Sequence, residues 1–208
     1  PEKLDKTDPN EISEEDWEEA RHFDFPGFVC SLGYVAEWSK PELLFTRSYL
    51  STYLRRWDMT RVNYAKQALM YMIHHKMYGT IYSKNTDAHG PFVISAFADG
   101  SLMNESKSRS RVARLVKMAG ASVAAKTNKT TTVHLSSASV ETEAACHAAL
   151  DIVGIRHLLE EIGIWYNKPV VIYEDNQPTI QVANNERSLA DAGRHLETRN
   201  YKLSELVE

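Results

Sequence analysis

The stretch SKNTDAHGP, residues 83–91, separates two unlike patterns in this chain. Before it, apolar residues recur at helical spacing. After it, they fall in short runs that suit strands. Its polar, Gly- and Pro-marked composition predicts a linker and a domain boundary. A chain of 208 residues has room for one or two domains with real cores. At 43% hydrophobic and 25% charged, the composition is that of a soluble globular protein.

The first half reads as helical. Residues 1–24 are acidic, with almost no apolar periodicity, and predict a tail or linker with at most a helical turn at SEEDWEEARHF. A helical domain is expected over 25–83. Pro41 suits a first helical turn, and Leu43, Leu50 and Leu54 follow at helical spacing. Ala65, Leu69 and Ile73 continue the pattern four residues apart, with Gly79 as the expected cap. The tyrosines here read as core in preference to a base-stacking platform.

The second half, 92–208, predicts strand, strand, strand, helix, strand, helix, helix. FVISAFAD is a mostly apolar run, fit for a central strand. RVARLVKMA and ASVAAKTN flank Gly120 as a hairpin, and TTTVHL reads as a further short strand or edge. Ser136, Ser137 and Ser139 are candidate caps for a long helix whose stripe is Ala145, Ala148, Ile152, Ile155 and Leu159. VVIYED is a short strand, QPTIQVANN a short helix, and a last helix is expected over 188–208. This order is an α+β, mixed α/β architecture: a mixed sheet with packed helices, preceded by a small helical domain.

Three acids occupy telling places in that order. Asp-Gly at 99–100 is a hairpin signal, yet Asp99 also closes the first strand, where a metal ligand can sit. Glu143 lies in the first turns of the long helix, and Asp175 closes the VVIYED strand. Glu141 competes with Glu143; two residues apart, they point to nearly opposite sides of a helix, so only one can face a shared site. Hard cations such as Mg²⁺ take oxygen ligands of this kind. Each acid also has a plain alternative, as turn residue, helix-dipole partner or cap. Together, strand-Asp, helix-Glu and strand-Asp form the layout of the ribonuclease H fold.

Most of the chain, from about Phe25 to Leu203, also resembles the C-terminal part of copia-type LTR-retrotransposon polyproteins, with its reverse transcriptase thumb region and ribonuclease H. PGFVCSLGYVAEWSKPELLFTRSYLSTYL, AKQALMYMIHHKMYGTIY, VHLSSASVETEA, IYEDNQPTI and GRHLETRNYKL are similar to five of that family's blocks, in the right order. The resemblance implies a thumb-like helical domain and a ribonuclease H-like domain, here without its C-terminal strand and helix. It assigns Asp99, Glu143 and Asp175 as catalytic metal ligands for Mg²⁺, with Mn²⁺ as substitute. The family's fourth carboxylate is expected beyond Glu208. The implied substrate is the RNA strand of an RNA/DNA hybrid, and the implied partners are the rest of the polyprotein. The implied location is the cytoplasm, in a virus-like particle, or the nucleus. A homodimer and a catalytically degenerate module that only binds nucleic acid or protein remain alternatives.

Charge adds a nucleic-acid reading. The net charge is -4, but residues 1–25 hold ten acids and three bases, so the remainder is net basic. Lys107, Arg109, Arg111, Lys126, Asn128 and Lys129 are candidates for contact with a hybrid backbone. No apolar run approaches the ~20 residues of a spanning helix, and no apolar leader is expected in PEKLDKTDPNE. Two cysteines, Cys30 and Cys146, predict a reducing compartment and no disulfide framework.

Overall fold

The computed structural model describes residues 5, 7–83, 93–103, 108–166 and 168–184. The expected linker 84–91 and last helix 188–208 lie outside them, as does Lys107. The described chain forms two compact units, one ending at Thr80 and one beginning at Ile81.

The first unit is helical: α1 (Glu14–Ala20), α2 (Phe25–Trp38), α3 (Leu44–Ser51) and α4 (Met59–His74). Short polar side chains start three of these helices. Ser13, Asp24 and Asp58 accept hydrogen bonds from the backbone N–H groups of Asp16, Gly27 and Arg61. Phe25, Val29, Leu32 and Ala36 recur every three or four residues along α2 and are all buried. They share a core with Leu50, Tyr53, Trp57, Val62 and Ala65. Trp57 stacks on Phe25 at 5.4 Å, and its indole N–H donates to the Ala20 carbonyl.

The acidic N-terminal stretch is corrected here: it is part of this unit. Ile12 and Ala20 are buried in the core, and Trp17 packs edge-on against Trp57. Arg61, fully buried, pairs with Asp5 at 2.9 Å and Asp58 at 2.8 Å. It also donates to the Tyr53 hydroxyl, which donates in turn to the Thr7 carbonyl. The Tyr49 hydroxyl donates to the Asp5 carbonyl at 2.5 Å. A buried guanidinium needs such partners, and one of its two acids, Asp5, comes from the stretch that looked like a tail. Gly79 does not cap α4. His75 does, and the buried Lys40 amine takes up the carbonyls of His75 and Tyr78 beyond it.

The second unit contains β1 (Ile94–Ser101), β2 (Arg111–Met118), β3 (Ala121–Lys129), α5 (Ser137–Glu161), β4 (Val171–Tyr173) and α6 (Gln177–Ala183). The sheet order is β3-β2-β1-β4; the first three strands are antiparallel, and β4 runs parallel to β1. A parallel neighbour requires a crossover, and α5 supplies it. The mixed sheet with packed helices is the architecture the sequence predicts. Ala119 and Gly120 both have positive φ and join β2 to β3 in a two-residue loop, as a tight hairpin demands. TTTVHL forms no strand, which corrects that expectation. Thr130 instead bonds Ser110, and the segment leads into α5.

Ile94, Ala96 and Ala98 alternate along β1 toward α5, where Val140, Ala144, Ala148 and Ile152 meet them. The small residues let helix and sheet approach closely. Cys146 is buried on the same helix. Among the described residues, no helix is long and apolar enough to cross a membrane.

Candidate metal centre

Alternation along β1 puts Phe97 and Asp99 on the face opposite Ala96 and Ala98. The parallel register pairs Phe97 with Tyr173, and their rings stack 4.7 Å apart. Two residues beyond each ring come Asp99 and Asp175. Asp99 and Gly100 lie inside β1, opposite Ala113 and Val112, so the Asp-Gly pair is neither a hairpin turn nor the strand's last pair. The glycine has another use. A Cβ on Gly100 would come within 2.8 Å of Val140 Cγ1 and 2.9 Å of the Glu141 backbone nitrogen. Only a residue without a side chain lets the first turns of α5 rest against the strand here.

That contact delivers Glu141. Ser136 caps α5 by accepting from the Ser139 N–H, which sets where the helix starts. One carboxylate oxygen each from Asp99, Glu141 and Asp175 then lies within 4.8 Å of the others. Asp99 and Asp175 are exposed, whereas Glu141 is only 6% exposed. Its Oε2 has no hydrogen-bond partner. Burial, followed by the charges of Glu174 and Asp99, pushes the Glu141 carboxyl up to about 8, against the pull of a hydrogen bond from the Gly100 N–H.

Glu143, the helix acid expected at this site, is elsewhere. Two residues turn an α-helix by roughly 200°, and the Glu143 carboxylate lies 3.1 Å from His134 Nε2. The other ring nitrogen of His134 meets Ser139 Oγ at 2.8 Å. Glu141 therefore replaces Glu143 beside Asp99 and Asp175. Asn176, not Asp175, caps α6, accepting from the Thr179 N–H at 3.1 Å, which leaves the aspartate to the cluster.

A fourth acid was missed by sequence reasoning. Glu174 is half-buried, and burial is the main cause that lifts its carboxyl to about 7, with Asp175 and Asp99 adding to it. Its Oε1 accepts from the Asn176 N–H, an opposing influence, and its Oε2 is buried without a partner. The signal was its place beside Asp175 at the end of an apolar strand.

No protein-family model matches the sequence, and no curated protein matches it. Among solved structures, the chain is similar to one described as "RNase H1 from halophilic archaeon Halobacterium salinarum NRC-1". The identity is 15%, the match covers 55% of this chain and 76% of that one, and the TM-score is 0.39.

The donor set suits a hard divalent cation: three carboxylates, all oxygen, one of them buried with an unmatched oxygen among like charges. The expected nucleic-acid contacts fare unevenly. Arg111 is buried, and Arg109 donates to the Thr131 carbonyl, so neither is a simple solvated phosphate ligand. Lys126 is exposed; Asn128 and Lys129 are half-buried. Lys107 lies outside the described residues.

Proposed function

We propose that this chain is a ribonuclease H-type nuclease that hydrolyses the RNA strand of RNA/DNA hybrids. The observation that carries the proposal is the convergence of Asp99, Glu141 and Asp175 from β1, α5 and the end of β4, with Glu141 buried and incompletely paired. Asp99, Glu141 and Asp175 would hold Mg²⁺, or Mn²⁺ in its place. When bound, the ion supplies charge neutralisation at the phosphodiester and a lowered pKa for the attacking water. Asp99 and Asp175, both exposed, leave the site open to a backbone phosphate. Without the ion, burial lifts the neighbouring Glu174 carboxyl to about 7, and a bound cation would favour its ionised form. The five copia-like sequence blocks support a setting within a reverse transcriptase polyprotein, in virus-like particles or the nucleus.

The test is cleavage of an RNA strand labelled at one end and annealed to DNA, with and without Mg²⁺. Metal-dependent cuts leaving a 3′-hydroxyl are expected in the hybrid and not in RNA duplex. Asp99→Asn, Glu141→Gln and Asp175→Asn should each lower the rate by about 100-fold or more. Glu143→Gln should keep most of it. Hybrid binding without any cleavage would replace this reading with that of a non-catalytic binding module.

A further inference from the structure

The helical unit has a cleft of its own, unrelated to the acid cluster. It lies between α4 and the segment 42–49, and its volume is about 460 Å³. Four aromatic rings line it: Phe45, Tyr49, Tyr64 and Tyr71. Tyr49 and Tyr64 meet with centroids 5.9 Å apart and planes at 71°, so they form a corner. Tyr71 and Phe45 are partly exposed toward solvent. Glu42 is the one charged side chain among the described lining residues, and the Tyr71 hydroxyl donates to its Oε1 at 3.3 Å.

We propose that this cleft binds an organic cation of the quaternary ammonium class, such as a choline-like or trimethyl-lysine headgroup. Aromatic faces carry negative potential and attract cations that are too weakly hydrated to stay in water. Walls at near right angles let one cation meet more than one ring. Glu42 supplies the counter-charge at the rim, and no lysine or arginine among the lining residues opposes it. A neutral apolar ligand would use the same rings and gain nothing from Glu42. An anion would meet repulsion from both.

Choline and its neutral isostere 3,3-dimethylbutan-1-ol separate these cases. Each is titrated into the full chain while tyrosine ring resonances are followed by NMR. Choline should shift the Tyr64 and Tyr71 signals saturably and bind at least about tenfold more tightly than the alcohol. Glu42→Gln and Tyr71→Leu change exposed residues and should each weaken choline severalfold while leaving the alcohol nearly unchanged. Equal affinity for the two ligands, or choline binding untouched by both variants, would overturn the proposal. The cleft is remote in sequence from Asp99, Glu141 and Asp175, so hybrid cleavage in the same variants reports separately on the nuclease reading.

Discussion

At Glu141 a carboxyl sits buried among other carboxyls, an arrangement that costs stability and that a bound cation would relieve. Its folded pKa, about 8, stands above its ordinary 4.5. A raised pKa means the folded chain keeps a proton that the unfolded chain releases. The associated stability is complete below 4.5 and is lost as pH rises toward 8. The metal-free melting temperature should therefore fall across that interval, Glu174 adding to the slope. Glu141→Gln should flatten the slope, raise the metal-free melting point at pH 8 and abolish the Mg²⁺-induced increase. Glu143→Gln should do the opposite: removing the buried partner of His134 costs about 1–3 kcal/mol, with the Mg²⁺ response retained. Scanning fluorimetry across pH, with and without Mg²⁺, checks both. Sequence reasoning could reduce the choice to these two glutamates, because helix geometry forbids both from facing one site. Helix geometry alone could not choose between them, and the family resemblance chose Glu143 where the structure has Glu141. The phase of α5 depends on which of three serines caps it and on where β1 touches it.

The contact of β1 with α5 rests on Gly100. Gly100→Ala would press a methyl group against Val140 and the Glu141 backbone. Neither neighbour is the far end of a flexible side chain, so helix and strand must part. The expected cost is about 1–3 kcal/mol, with a loss of cleavage larger than the loss of stability explains. Denaturant unfolding and hybrid cleavage of the same variant test this. Strand-level features were legible in part: the apolar run FVISAFAD read as a central strand and Gly120 as a hairpin turn, and both are found. Asp99-Gly100 looked like a hairpin turn because the sequence shows a glycine but not what approaches it. Helix α1 looked like a tail because its own surface is charged. Of its own residues only Trp17 and Ala20 reach a core, with Ile12 and Phe23 to either side, and Arg61 waits far along the chain for Asp5. Such long-range pairing leaves no periodic trace.

For the molecule as a whole, charge is divided: residues 1–25 carry the acidic excess, and the remainder is net basic. Association with a hybrid should weaken with salt, but gently, because Arg111 is buried and Arg109 is engaged with the backbone. Lys126→Gln should lower the log–log salt slope by about 1 and weaken binding to hybrids of any sequence alike; fluorescence anisotropy across a salt series measures both. The pairing of Arg61 with Asp5 has a mechanical consequence. A pull applied through residue 5 does not shear a ladder of backbone bonds. It arrives sideways on the helical unit, through the guanidinium of Arg61 and the hydroxyl of Tyr49. Those two tethers bear the load together and pass it into α3 and α4, the helices that carry Tyr49 and Arg61. Because Tyr49 is also a wall of the aromatic cleft, tension on the N-terminus would be felt there before any helix unwinds.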